Sequence, residues 1–479
     1  MMRNVNAFTG GLLLAALILA GCSTRSDSAG AKAAGKRGAN VADPVVTGPV
    51  TGGIHGHPLW DSWYDIGELG YVEEEFFISG SAKTYPATTP ADYTTRIIVR
   101  RPADAAHFNG TVLLDWVNVT AQFENAVDTL EAHQLFHREG FAYVHVSAQS
   151  AGLCCVPELT PKLWDPLRYG PISHPGDDYS YDMLSQIAKA LRAPTNTDAM
   201  GGLKVQRIIA MGQSQSASRL YGYVTQAQRD ADVIDGFLIH SGGGRHYDPA
   251  PAVPVIQLFS EAEADADAPD RGIPNYRGWE IAGAAHQNYW VGLHQVLGAG
   301  LRALGDLQRP ASADEDLHAI TGNYGEQLTP LSLVCIVAGT QYPMRYIVST
   351  AIHDLDRWIR NGTPPPEGAR FQFDGATLQK DSYGAALGGI RLPVVDVPVA
   401  RNSATVCGLG GITVPLTDLE LMALDPTHSD YYCKMQEAPR KSVAEGFLLP
   451  EDAQELLQRA MDAKNRWLVD GTLDCGPVP

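Results

Sequence analysis

Residues Gln206–Val224 read QRIIAMGQSQSASRLYGYV. Ile208–Met211 is an apolar run of strand length. A turn through Gly212-Gln213-Ser214-Gln215-Ser216 follows, and beyond it Ala217, Leu220, Tyr221 and Val224 recur at helical spacing. Strand, tight turn, helix is the context in which a serine hydroxyl is presented at the apex of a sharp bend. Gly212 admits the bend. Ser216 and Ala217 are small enough to keep the helix close to the strand. Ser216 stands where the familiar G-x-S-x-G pattern has its second glycine. The pentapeptide alone also fits an ordinary strand-to-helix turn. The elements on either side favour Ser214 as a nucleophile.

A serine hydroxyl needs a base, and the base needs a carboxylate to orient it. On a parallel sheet such groups lie past the carboxyl ends of the strands, and where a strand-turn-helix bend presents the serine, the acid and then the histidine follow it along the chain. Downstream of Ser214, the strand Val253–Phe259 runs into Ser260-Glu261-Ala262-Glu263. Glu263, four residues past Phe259, is the candidate acid, with Glu261 as its alternative. The strand Tyr276–Ile281 runs into Ala282-Gly283-Ala284-Ala285-His286, which places His286 on a small-residue loop as the candidate base. Two backbone N–H groups must meet the developing oxyanion. Gln215 supplies one, directly after the nucleophile. The loop after Thr111–Asn118 supplies the other through Val119, with Thr120 as its neighbour. Arg245, after the Gly242–Gly244 run, either grips a substrate carboxylate or braces a loop.

The rest of the chain alternates strand and helix. Tyr71–Ile78, Thr95–Arg100, Thr111–Asn118, Phe141–Ser147 and Gly236–His240 read as strands; Glu124–Arg138, Tyr181–Ala193 and Tyr346–Arg360 read as helices. This alternation predicts an α/β fold, a mostly parallel sheet with helices on both faces. His133 and His137 share a helix face, yet Gln134 stands where a zinc-protease helix has its Glu, so a plain helix surface is expected. His55 and His57 are not expected to form a metal site. The proline-studded loop Gly152–Asp178 carries Trp164 and Tyr169, which line a pocket or pack the loop down. Glu261–Asp270 reads as a solvated acidic loop. From Arg370 the sequence reads as irregular and short-stranded, apart from a last helix over Pro450–Ala463.

Several stretches together carry a family resemblance: GYVEEEFFISGSA (Gly70–Ala82), FNGTVLLDWVNVT (Phe108–Thr120), RYGPISHPGDDYSYD (Arg168–Asp182), MGQSQSASRLYGY (Met211–Tyr223), FSEAEAD (Phe259–Asp265), WEIAGAAH (Trp279–His286) and LGGIRLPVVDVPVA (Leu387–Ala400). From about Val45 onward the chain resembles the serine α/β-hydrolase superfamily. Within it, the chain is similar to a bacterial family of large alpha/beta hydrolase domain-containing proteins. The resemblance implies the α/β-hydrolase fold and a Ser-acid-His triad, with Glu263 or Glu261 where Asp is more usual. It predicts a core over 44–365 with inserted loops and a C-terminal extension, 366–479, packed on it. The expected activity is cleavage of a carboxylic ester through an acyl-enzyme, with no metal or organic cofactor. An amidase or peptidase on the same triad, or an envelope binding protein with a degenerate site, are the alternatives.

Thirty-six Lys and Arg against 54 Asp and Glu give a net charge of −18. That balance argues against nucleic acid and against an acidic membrane surface as partners. Met1-Met2-Arg3 followed by Leu12–Ala20 reads as a signal peptide over 1–21. Leu19-Ala20-Gly21-Cys22 resembles the bacterial lipoprotein cleavage box, which implies lipidation of Cys22 and a membrane anchor at the cell envelope. Ser23 fits sorting to the outer membrane, facing the periplasm or the surface. Residues 22–43 form a flexible tether. Cys154, Cys155, Cys335, Cys407, Cys433 and Cys475 remain for disulfides in an exported chain. Neighbouring Cα atoms about 3.8 Å apart are closer than a disulfide usually spans, so Cys154 and Cys155 are expected to bond elsewhere.

Overall fold

A computed structural model describes residues 37–87, 89–268, 272–293, 339–473 and 475. Among them, nine strands form one sheet: β1 (Val45–Thr47), β2 (Tyr71–Ala82), β3 (Ala91–Pro102), β4 (Thr111–Trp116), β5 (Ala142–Val146), β6 (Arg207–Gln213), β7 (Gly236–His240), β8 (Val255–Phe259) and β9 (Tyr276–Glu280). Their spatial order is β1-β2-β3-β5-β4-β6-β7-β8-β9. Strands β5, β4, β6, β7, β8 and β9 run parallel, while β1, β2 and β3 pair antiparallel at one edge.

Side-chain alternation explains why helices cover both faces. Along β4, Val112 and Leu114 enter one apolar core and Leu113 the other. Along β6, Ile208 and Ala210 alternate in the same way with Ile209 and Met211. With both faces apolar, the strands read as continuous hydrophobic runs. Helices α1 (Val127–Glu139) and α4 (Met344–Asn361) bury Phe136, Ile347 and Leu355 on one side; α2 (Ser180–Arg192) and α3 (Gln215–Gln226) bury Leu184, Ile187, Leu220 and Tyr223 on the other.

The strands β2 and β3 extend well beyond the runs Tyr71–Ile78 and Thr95–Arg100. Each has 12 residues, and they pair along their full length. In the extension Ser79 and Thr94 face each other with their hydroxyls hydrogen-bonded at 2.8 Å, and Arg101 pairs with Glu74. Beyond Arg370 the expected last helix is present as α6 (Pro450–Asp462), and a helix that was not expected, α5 (His428–Glu445), precedes it. Pro439 lies inside α5 and forfeits one helical hydrogen bond. Thr427 and Asp430 cap the helix reciprocally, and Tyr431 and Met435 join the core of Ile347 and Leu355.

Cys433 bonds to Cys475, and Cys407 is also in a disulfide. Cys154 and Cys155 bond to each other, against the expectation of separate partners. Cys155 takes φ 92°, which turns its side chain back toward that of Cys154.

His133 is a core residue and His137 is half-buried, so the pair is not a plain helix surface. His133 packs among Trp63, Tyr64 and Trp290, and His137 hydrogen-bonds Tyr143 Oη at 3.1 Å. Burial pulls their imidazoles down to about 4 and about 3, so both are neutral. Trp164 and Tyr169 are buried and pin the proline-rich loop, with His55 stacked on Trp164 at 3.9 Å. Among the described residues, no three His, Cys, Asp or Glu side chains are grouped to hold a metal ion.

That loop, the N-terminal segment and the loop after β4 meet at one guanidinium. Arg96 is fully buried and donates to Glu75 Oε1 (2.9 Å), Glu124 Oε2 (2.5 Å), Leu59 O (2.9 Å) and Tyr169 Oη (3.0 Å). Burial works to raise the Glu124 carboxyl, but the Arg96 charge and a hydrogen bond from His145 hold it at about 2. Arg96→Met leaves the buried Glu124 without its guanidinium partner, while Glu75 keeps Arg168 at 2.6 Å, and is expected to lower stability by about 3–5 kcal/mol. Urea unfolding measures this, and a loss under about 1 kcal/mol would contradict the reading.

Candidate active site

The carboxyl ends of β4, β6, β7, β8 and β9 lie along one edge, where in register Gln213 faces His240 and Phe259 faces Glu280. Ser214 follows β6 directly and precedes α3. It takes φ 61° and ψ −113°, a backbone conformation that non-glycine residues rarely adopt. Its N–H donates to His240 O at 2.8 Å, which pins the bend to the end of β7. Neighbouring residues must be small for this to fit. A Cβ on Gly242 would lie 2.4 Å from Ser214 O, and one on Gly212 would lie 2.9 Å from Ser216 Cβ.

Past β8, Ser260 caps a short helical turn in which Glu263 reciprocates. Ser260 N and Oγ donate to Glu263 Oε2 at 2.8 and 2.7 Å. The other oxygen, Oε1, lies 2.5 Å from His286 Nδ1, and His286 Nε2 lies 2.8 Å from Ser214 Oγ. An ionised carboxylate only accepts, so Nδ1 carries the imidazole proton and Nε2 accepts from the serine hydroxyl. Burial works to raise the Glu263 carboxyl, but the hydrogen bonds from His286 and Ser260 outweigh it and hold it below the usual range.

Glu261 sits two residues away and faces elsewhere. It is buried, with Lys380 Nζ at 2.7 Å and the N–H groups of Gly283 and Ala386 at 2.6 and 2.7 Å. It therefore ties the loop before His286 to the 380–386 segment. Glu261 and Glu263 are thus not part of a solvated acidic loop.

Arg245 braces rather than reaching outward. It donates to Glu280 Oε1 and to Glu263 O, each at 2.7 Å, and stacks 3.5 Å over Phe259. The structure places Val119 N 3.4 Å from the side-chain oxygen of Gln215, while Thr120 N is taken by Asn118 Oδ1 at 2.8 Å.

Three further residues position this group. Gln213 donates through Nε2 to His286 O at 2.9 Å, and Asn118 Nδ2 donates to Gln213 O at 3.0 Å. His240 forms a buried pair with Asp128, Nδ1 to Oδ1 at 2.7 Å. Gln213 is the unspecified residue before the serine in G-x-S, and Asn118 lies two residues past β4, so neither has a sequence signal of its own. Burial works to lower the His240 imidazole, yet Asp128 and then Glu131 raise it above its ordinary value.

Burial, with the Asp128 carboxylate adding to it, pushes neighbouring Asp115 up to about 8. A folded-state pKa above the unfolded value means that this stability is full below about pH 4 and is lost as pH rises toward the folded value. Thermal unfolding of wild type is therefore expected to weaken from about pH 5 to about pH 8, and Asp115→Asn is expected to flatten that slope. Equal slopes for the two proteins would contradict it.

A family model described as "Alpha/beta hydrolase domain" matches residues 46–458. No curated protein matches the sequence. Among solved structures, esterase Est22 aligns over 42% of this chain and 67% of its own, at 13% identity and TM-score 0.26. A structure titled "Bacterial Heroin Esterase" aligns over 42% and 69%, at 16% identity and TM-score 0.26. A fungal esterase structure from Rhizomucor miehei aligns over 40% and 66%, at 11% identity and TM-score 0.24.

Proposed function

The chain belongs to the alpha/beta hydrolase domain family, and we propose that it is a serine hydrolase that cleaves carboxylic esters through an acyl-enzyme. The observation that carries this reading is His286 standing between Glu263 at 2.5 Å and Ser214 at 2.8 Å. Ser214 Oγ attacks the ester carbon as His286 Nε2 takes its proton. Glu263 keeps the ring in the required tautomer and stabilises the imidazolium. The N–H groups of Gln215 and Val119 receive the oxyanion. His286 then protonates the leaving alcohol, and the acyl group stays on Ser214. Water enters, gives its proton to His286 and releases the acid. Glu263 is the acid of this triad, and Glu261, held by Lys380, is a loop brace.

The test is a ladder of p-nitrophenyl esters from acetate to decanoate, with a matched anilide beside one member. Ser214→Ala is expected to lower kcat by about 10⁶-fold. Glu263→Gln is expected to lower it by about 10⁴-fold while leaving KM little changed, since the wrong tautomer is then favoured. Retention of activity by Ser214→Ala would end the proposal. Faster cleavage of the anilide would move the substrate class to amides.

The same protein is proposed to be anchored at the cell envelope through acyl chains on Cys22. The reading rests on the Leu19-Ala20-Gly21-Cys22 stretch, which resembles a lipoprotein cleavage box. In a bacterial host, wild type should follow the detergent phase and Cys22→Ser the aqueous phase. Equal partitioning of the two would overturn the anchor.

A further inference from the structure

We propose that the side chain of Gln215 is a built-in competitor for the oxyanion site, seated where the substrate's acyl oxygen must go and displaced by it. This inference rests on the serine-hydrolase reading above and concerns the same site.

The loop after β4 spends its amides unevenly. Asn118 N donates to Asn125 O at 2.8 Å, Thr120 N to Asn118 Oδ1 at 2.8 Å and Gln122 N to Val119 O at 2.9 Å. Val119 N instead turns toward the elbow and meets Gln215 Oε1 at 3.4 Å. The backbone N–H of Gln215 opens α3, so it has no acceptor within the helix. Of the two amide donors proposed for the oxyanion, Val119 N therefore already holds a carbonyl oxygen, that of the residue next to Ser214. That oxygen belongs to a primary carboxamide, an sp² acceptor of the same kind as an ester carbonyl.

An oxyanion formed on Ser214 needs Val119 N–H for itself, so the carboxamide must leave before the tetrahedral intermediate is stabilised. A contact of 3.4 Å is long for a hydrogen bond, and Gln215 is only half-buried, so its flexible side chain has room to swing aside. The resting enzyme therefore shields an unsatisfied backbone donor in the absence of substrate. In exchange, every binding event must first break an internal contact, which raises KM.

The experiment uses the full chain and an alkyl fluorophosphonate, whose P=O oxygen enters the oxyanion site as Ser214 displaces fluoride. Wild type, Gln215→Ala and Gln215→Met are compared for second-order labelling rate and for KM with p-nitrophenyl butyrate. Methionine keeps the length and helix propensity of glutamine without its carbonyl. Both variants are expected to label roughly two- to threefold faster, the low end of the net worth of one hydrogen bond because the contact is long, with KM lowered by a similar factor. Rates equal to or below wild type in both variants, with unchanged circular dichroism, overturn the proposal. A gain in Gln215→Ala alone also overturns it, because bulk rather than the carbonyl is then responsible. A wild type that never labels removes the serine-hydrolase reading itself, whereas a labelled wild type with no gain in the variants removes only the competitor.

Discussion

The backbone of Ser214 is the constraint on which the rest of the site depends. A non-glycine residue at φ 61°, ψ −113° carries strain on the order of 1–3 kcal/mol and persists only where its surroundings leave no alternative. Strand β6 enters from the middle of a parallel sheet buried on both faces. Helix α3 leaves against the core of Leu184 and Ile187, and His240 O holds the apex N–H. Gly242 provides room for the Ser214 carbonyl, and Gly212 for Ser216. Relaxing the bend would mean unpacking α3 or breaking the pairing of β6 with β7. The sheet therefore holds the hydroxyl in place before any substrate arrives, the kind of preorganisation that acyl transfer needs.

The groups around that hydroxyl are held by the same economy of backbone. Glu263 reaches His286 because its second oxygen is already bound in the Ser260 cap, so one short helical turn fixes both ends of the carboxylate. His286 is fixed from the other side by Gln213, the residue just before the serine. Arg245 holds the carbonyl of Glu263, and Glu261 holds the loop that leads to His286. Behind the loop that follows β4, Arg96 and Glu124 join β3 to the start of α1. A Cβ on Gly152 would lie 2.7 Å from both Val119 Cγ1 and Glu124 Cγ, so this buried ion pair and the loop that carries Val119 N are packed as one piece.

The sheet was legible in the sequence because its central strands are apolar on both faces and its helices follow at short spacing. Gln206–Val224 gave strand, turn and helix within a residue or two of the observed bounds. The hairpin β2–β3 was underestimated because its outer ends, Ser79–Ala82 and Ala91–Thr94, carry no apolar run, and their pairing is non-local. Helix α5 was hidden by Pro439 and a mostly polar face, which tertiary packing overrides. At the site, residue type and strand position narrowed the acid to Glu261 and Glu263, but they could not say which faces His286. That depends on the Ser260 cap and on Lys380, more than a hundred residues downstream. The Gln215 carbonyl on Val119 N was likewise out of reach, because side-chain direction on a half-exposed helix start leaves no periodic trace.

The central claim is that Ser214 carries the acyl group between two half-reactions. Rapid-quench mass spectrometry of the enzyme with p-nitrophenyl butyrate, followed by peptide mapping, tests it most directly. The account predicts one butyryl group, found on the peptide that contains Ser214 and accumulating before steady state. Turnover with no acylated peptide, or with the acyl group on a different residue, would contradict it.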